Sequence, residues 1–312
     1  MSTHFFIPGG AGYIGSILTE ELLRLNHRVT VLDNFFYNQS SLLHLARNPL
    51  LTLVTGDFRS EKTVTDLANR ADVIIPLAAL VGAPLCNQNP QLAQEVNVQA
   101  PLKLFNNLSA SQIVLMPTTN SAYGSGNTQH FCDESSPLNP ISSYAKMKVE
   151  VESALLQKDN TVSFRLATVF GISPRMRLDL LVNDFTYRAL RDRHLSVFEG
   201  HFKRNYIHIL DVVGAFLHTL KNFNSMKNNI YNVGLSSANI SKLELCRLIQ
   251  IRVPDLIYSE DTSGKDPDQR NYIVSNDKIE KTGFLPRYSL DDGIQEIIKS
   301  YPLLRGDQMR NI

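Results

Sequence analysis

Apolar residues in this chain gather in short continuous runs, separated by stretches whose apolar positions recur with helical spacing. His4-Phe5-Phe6-Ile7 is the first run, and Gly9-Gly10-Ala11-Gly12-Tyr13-Ile14-Gly15 follows it. Ile14, Leu18, Glu21, Leu22 and Leu25 then fall on one helical face up to Asn26. Val29-Thr30-Val31-Leu32 is the second run and ends at Asp33. Strand, glycine turn, helix and strand within about thirty residues predict a β-α-β unit with parallel strands and a right-handed crossover.

Leu51-Thr52-Leu53-Val54, Val73-Ile74-Ile75, Ile113-Val114-Leu115-Met116 and Val162-Ser163-Phe164 continue the alternation. Runs without polar interruption predict a parallel sheet covered on both faces, so the fold class is α/β with a doubly wound Rossmann sheet. Past Gly171 the regularity fades. Ser173-Pro174-Arg175 reads as a loop, 182–190 as a helix, 205–209 as a strand, 211–220 as a helix capped by Asp211, and 230–233 as a strand able to rejoin the sheet. Helices are predicted again at 241–251 and 289–299. The expected organisation is a Rossmann domain over 1–170, joined by about 205–234, with a smaller interleaved substrate lobe built from 171–204 and 235–312.

Charge and composition narrow the function. Among 312 residues, 31 Lys plus Arg stand against 30 Asp plus Glu, which provides no global field for nucleic acid or an anionic membrane. Cys86, Cys132 and Cys246 have neither CxxC spacing nor a His/Cys cluster nearby, so they read as reduced packing thiols, with no metal site and no disulfide framework. No basic-then-apolar leader pattern and no run of membrane-spanning length is seen, and a cytoplasmic location is expected.

The glycine turn carries the first chemistry. A diphosphate needs backbone N–H groups at close range, and a helix N-terminus supplies them with the favourable end of its dipole. Gly9 and Gly12 are expected to keep side chains out of the way, and Gly15 to let the helix pack on the strand. Asp33 at the second strand's end can accept from both hydroxyls of an adenosine ribose but would repel a 2′-phosphate, which favours NAD over NADP. Asp57, after the third strand, is placed to approach the adenine or simply to make a turn.

Thr119, Tyr144 and Lys148 carry the second. Tyr144 and Lys148 are one helical turn apart on one face. A phenol with a pKa near ~10 is a poor base at neutral pH. A neighbouring ammonium favours the phenolate, which can then take a proton from a sugar hydroxyl that Thr119 orients.

This set, in order, resembles the extended short-chain dehydrogenase/reductase family, the NAD-dependent nucleotide-sugar epimerases and dehydratases. The resemblance rests on the glycine turn, Asp33, Thr118-Thr119-Asn120-Ser121-Ala122-Tyr123-Gly124, Tyr144 with Lys148, Arg204-Asn-Tyr-Ile-His208-Ile-Leu-Asp211 and Gly283-Phe-Leu-Pro286. Within the family, the run from Pro76 to Cys86, the run from Arg165 to Asp179, and Asp268-Gln-Arg-Asn-Tyr272 are most similar to bacterial GDP-D-glycero-α-D-manno-heptose 4-dehydrogenases. The resemblance implies that Arg204 and Arg270 hold the substrate diphosphate, a task suited to bidentate donors. It places Asn120, Ser121, Arg175 and Asn183 at the sugar, and reads His208 as a packed strand residue. The cofactor set also takes in Tyr13, Ile14, Asn34, Phe58, Leu77, Ala78 and Ala79.

Three departures from the family pattern matter. Pro8 stands where threonine is usual and Pro76 where histidine is usual, so local hydrogen bonding is expected to differ while NAD binding is kept. Asn120-Ser121 replaces the Asp-Glu pair of dehydratases, which argues against 4,6-dehydration. The expected activity is NAD-dependent C4 oxidation of a GDP-sugar, with a UDP-sugar possible as substrate and C4 epimerisation as the alternative. A non-catalytic NAD-binding module would have little need of Thr119, Tyr144 and Lys148 together. Apolar faces at 90–108 and 142–157 match the family's dimer helices, and a homodimer is expected.

Overall fold

The structure, a computed structural model, describes residues 2–125, 130–263, 270–306 and 309–311. The elements run β1 (His4–Pro8), α1 (Tyr13–Arg24), β2 (Arg28–Asp33), β3 (Leu51–Thr55), α2 (Glu61–Ala68), β4 (Val73–Ile74), α3 (Ala83–Gln88), α4 (Pro90–Gln94), α5 (Ala100–Asn106), β5 (Ile113–Thr119), α6 (Ser143–Leu155), β6 (Thr161–Leu166) and β7 (Thr168–Phe170). They continue with α7 (Leu181–Arg191), β8 (His194–Phe198), β9 (Lys203–His208), α8 (Ile209–Lys221), α9 (Phe223–Met226), β10 (Asn229–Val233), β11 (Asn239–Ser241), α10 (Lys242–Arg252), β12 (Ile257–Asp261), α11 (Asp277–Glu280) and α12 (Leu290–Ser300).

Among these residues one seven-stranded sheet has the order β10-β6-β5-β4-β1-β2-β3, with every pairing parallel. Its inner strands are mostly apolar and buried because both faces are covered. Phe5, Ile7, Val31 and Leu115 join Leu18, Leu22 and Phe216 in one core, while Phe6, Leu32, Val114 and Met116 join Phe105, Val151 and Leu155 in the other. Burying each such side chain contributes about 1.5–3 kcal/mol. The exception is β3, an edge strand whose Leu53 is 43% exposed, so the expectation of two covered faces fails there.

The later elements form a third core around Val182, Phe185, Leu195, Tyr206, Leu245 and Ile294. β9 pairs with β7 and β11, and β8 pairs in parallel with β12, whereas β10 rejoins the large sheet beside β6. One expectation is corrected here: α8 begins at Ile209, not Asp211, with the His208 side chain accepting from the Leu210 N–H as its cap. Asp211 instead accepts from the Arg287 and Tyr288 N–H groups at 2.8 and 3.0 Å, tethering the segment before α12.

Between α4 and α5 the helix widens into a π turn over Glu95–Gln99. Pro101 has no N–H for the Asn97 carbonyl, and the ladder opens just before it. Asn97 uses its side chain to bracket Leu80, accepting from the Leu80 N–H and donating to the Leu80 carbonyl, both at 2.9 Å. That fixes the loop that leaves β4. No helix among the described residues is long and apolar enough to cross a membrane.

Candidate active site

The glycine turn joins β1 to α1 with each glycine in a distinct use. Gly9 has φ +79°, and a Cβ there would lie 2.4 Å from the Ala78 nitrogen, because Leu77 and Ala78 both donate to the Pro8 carbonyl at 2.8 Å. Gly9 is thus required by the close approach of the loop after β4, a different reason from ligand clearance. A Cβ on Gly15 would meet the Gly9 carbonyl at 2.6 Å, so Gly15 serves packing of helix on turn. At Gly12 a Cβ would meet only the Gly9 carbonyl, at 3.1 Å, and its other side is open.

α1 has no side-chain cap, and the Tyr13, Ile14 and Gly15 N–H groups meet no acceptor among the described residues. Asp33 accepts from the Ala11 N–H at 3.1 Å, the Phe35 N–H at 2.9 Å and the Gln39 amide at 3.2 Å. Burial raises its carboxyl above the usual range, and these bonds and Arg175 pull the other way. A carboxylate has about four acceptor positions, so beyond these three donors Asp33 keeps one for a ribose hydroxyl. Open helix N–H groups, an unobstructed Gly12 and this carboxylate together fit a dinucleotide.

The other expected cofactor residues sit around this cradle in varied ways. Asn34 is exposed and accepts from the Phe36 N–H. Phe58 is buried in the second face's core, and Ala79 is half-buried beside Leu77 and Ala78. Asp57 is gripped by the Arg59 guanidinium, which also reaches Glu95, and that cation holds the Asp57 carboxyl below its ordinary range. Tyr13 donates its hydroxyl to the Gly171 carbonyl at 2.7 Å, and burial pushes that phenol far up.

Thr119 ends β5. Its hydroxyl accepts from the Ser121 N–H at 3.1 Å and donates to the Ser121 hydroxyl at 2.9 Å, and Arg270 Nη1 donates to the same Ser121 oxygen at 2.7 Å. Tyr144 lies in the first turn of α6, which Ser142 caps by accepting from the Ala145 N–H. Lys148 is buried one turn on, with Nζ 5.8 Å from the Tyr144 ring centroid. Burial pushes its ammonium down to about 8, with the Cys86 thiol acting weakly against that. Arg177, paired with Asp179, lies close enough to feel charge on Tyr144.

Behind Thr119 is a polar network that the sequence reading did not identify. Glu152, on α6 one turn beyond Lys148, accepts from the Thr118 hydroxyl at 2.9 Å, the Ser163 hydroxyl at 2.6 Å, and Arg165 Nε and Nη2 at 3.0 and 2.6 Å. Arg165 also donates to the Tyr123 hydroxyl, which donates to Asn232. The signal was an acidic residue at i+4 from Lys148 and an arginine inside an apolar strand.

Of the expected sugar contacts, Asn120 is 1% exposed and neither of its amide atoms has a partner among the described residues. Arg204, on β9, and Arg270 are near enough to the same phenol, Tyr206, to oppose the upward push of burial on it. Asn183 accepts from the Gly171 N–H and donates to the Arg177 carbonyl and the Tyr13 hydroxyl, so its amide is engaged by the protein. Arg175 stands at the other end, 4.5 Å over the Tyr37 ring and near Asp33. Asp268 and Gln269 lie outside the described residues.

A parallel Rossmann sheet with an open helix N-terminus after its first strand fits an NAD-dependent short-chain dehydrogenase/reductase of the extended type. The chain belongs to the NAD dependent epimerase/dehydratase family, whose model matches residues 5–234. It is similar to a protein of Methanocaldococcus jannaschii named putative UDP-glucose 4-epimerase, 26% identical over 94% of this chain and 96% of the relative. It is also similar to UDP-glucuronic acid decarboxylase 1 of Arabidopsis thaliana, 25% identical over 95% of this chain and 69% of that one. Its fold matches the structure of UDP-glucuronic acid 4-epimerase from Bacillus cereus in complex with UDP-glucuronic acid and NAD, with a TM-score of 0.85 at 20% identity over 96% and 100% of the two chains. The protein is an NAD-dependent enzyme acting on nucleotide sugars.

Proposed function

We propose that this enzyme oxidises the C4 hydroxyl of a GDP-activated sugar, with GDP-D-glycero-α-D-manno-heptose favoured, and releases the 4-keto sugar nucleotide for bacterial surface-polysaccharide synthesis. The observation that carries the choice of oxidation over dehydration is the neutral pair after Thr119. Asn120 and Ser121 stand where an acid and a base would be needed, and Ser121 is held by Arg270. The preference for GDP-heptose rests on the runs 76–86, 165–179 and 268–272.

Tyr144, as phenolate, removes the proton of the C4 hydroxyl while Thr119 donates to the oxygen that becomes the ketone. Lys148 and Arg177 favour the phenolate by charge. Held at the α1 N-terminus beside Gly12 and Asp33, NAD would supply the hydride acceptor for that carbon. Arg204 and Arg270 hold the substrate diphosphate, and Asn120 and Ser121 line the sugar. On this reading residues 1–170 and about 205–234 serve the cofactor, while 171–204 and 235–312 serve the substrate. The helices within 90–108 and 142–157 join two copies into a homodimer.

The archaeal relative's name favours a second reading, C4 epimerisation of a UDP-sugar. Incubation with NAD and GDP-manno-heptose, or with UDP-glucose, separates the two. NADH absorbance with a ketone product supports oxidation of the sugar consumed. A stereoisomer with no net reduction of NAD overturns it in favour of epimerisation.

A further inference from the structure

The segment after β7 crosses the N-terminal turn of α1 and is fastened there. The Gly171 carbonyl takes the Tyr13 hydroxyl, and the Ser173 hydroxyl donates to the Tyr13 carbonyl at 2.7 Å while lying 3.1 Å from the Ser16 hydroxyl. The Arg175 N–H then donates to Ser173 Oγ, so the arginine is set directly beside the helix end.

Arg175 is 6% exposed, yet no carboxylate lies within ion-pair reach of it among the described residues. Its neighbour Arg177 is neutralised by Asp179, while Arg175 donates Nη1 to the Met176 carbonyl and Nη2 to the Asn311 side chain at 2.8 Å, and its face covers Tyr37. Its direct acceptors are neutral and its charge is offset only at longer range by Asp179 and Asp33, so burial and Arg177 disfavour the cation and an arriving anion would stabilise it. Of the two acids that act on it from a distance, Asp179 is paired with Arg177, and Asp33 is already bonded to the glycine turn and the following loop.

The chain's last described residues hold this arginine from outside. The Leu178 N–H donates to the Met309 carbonyl at 2.6 Å, Arg310 pairs with Asp184 at 2.7 Å, and Asn311 takes Arg175. The open N–H groups of α1 and the Arg175 guanidinium thus belong to two segments fastened to each other through Ser173 and Tyr13.

We infer that Arg175 is a cofactor residue: it binds the diphosphate of NAD opposite the α1 N-terminus, and the 309–311 strap holds it in place. This moves Arg175 from the sugar pocket to the dinucleotide, and it does not depend on which sugar is oxidised. A planar guanidinium against two phosphate charges adds charge-assisted hydrogen bonds to those of the helix.

The test is calorimetric titration of the full chain, freed of nucleotide, with NAD, ADP, adenosine and GDP. For Arg175→Ala, NAD and ADP affinity should fall on the order of ten- to a hundredfold, with adenosine and GDP affinity unchanged. Asn311→Ala, which leaves the arginine but loosens it, should weaken NAD and ADP several-fold in the same pattern. NAD and ADP affinities within about twofold of wild type in Arg175→Ala would overturn the inference, and a loss confined to GDP would return the residue to the substrate. Equal weakening of all four ligands would also overturn it, as damage to the fold.

Discussion

Thr119 separates two polar regions that could hardly differ more. On one side, Thr118, Ser163, Glu152, Arg165, Tyr123 and Asn232 form a buried chain in which each side chain finds a partner. On the other, Asn120 is equally buried and its amide has none. An unmade hydrogen bond in the interior costs about 1–3 kcal/mol, so a fully paired cluster is architecture, whereas on the proposed function the Asn120 amide is kept for the substrate. The paired side fixes α6 against β5 and β6, and so sets Tyr144 and Lys148 relative to Thr119.

The contrast can be broken most severely at the base. Tyr144→Phe should lower turnover by at least about a thousandfold, since the proton acceptor is gone. NAD affinity, read by calorimetry, should stay within a few-fold, and near-normal turnover in this variant would remove the basis of the mechanism.

Glu152→Gln attacks the paired side. It leaves the Arg165 guanidinium buried without its counter-charge, and the expected loss is on the order of 3–5 kcal/mol in denaturant unfolding. An unchanged unfolding midpoint would show that the network is not architectural.

Lys148→Met tests a residue that serves function against stability. Its folded-state pKa of about 8 lies below its ordinary 10.5, so the unfolded chain holds the proton more tightly and the charged lysine destabilises the fold below pH 8. That cost fades as pH rises from about 8 to 10.5. The variant should be more stable at neutral pH by on the order of 3 kcal/mol, with the difference closing by pH 10. Wild-type turnover should decline above about pH 8 as the ammonium deprotonates. Thermal unfolding across this range and a pH-rate profile read both effects, and a pH-independent stability difference would contradict them.

Asn120→Ala should have the smallest effect on the fold, within about 1 kcal/mol of wild type or slightly stabilising, because no protein bond is lost. Its effect should appear as a several-fold rise in KM for the nucleotide sugar. A large destabilisation would show that Asn120 belongs with the paired side after all.

Much of this was legible locally. Runs such as Val29-Thr30-Val31-Leu32 and the helical spacing after Gly12 depend only on neighbours in sequence, and the structure places β2 and α1 there. Tyr144 and Lys148 were visible for the same reason. Long-range placements were not. Glu152 and Arg165 meet because a helix and a strand pack, Gly9 is constrained by a loop nearly seventy residues away, and Arg175 answers to Tyr37 and Asn311, far off in either direction. β8 and β12 escaped notice because their pairing joins His194–Phe198 to Ile257–Asp261, and β12 is half exposed, with little apolar signal.

The return of β10 to the edge of β6 has a consequence for how the molecule is made. Val162 to Leu166 must wait for Asn229 to Val233 before that side of the sheet gains its last neighbour, and residues 167–228 are synthesised in between. Until then a nascent chain displays a row of bare amides and carbonyls, the kind of border on which other strands can add. A shortened product ending before Asn229 would carry that border permanently, so the covering of this edge is left to five residues made late in translation.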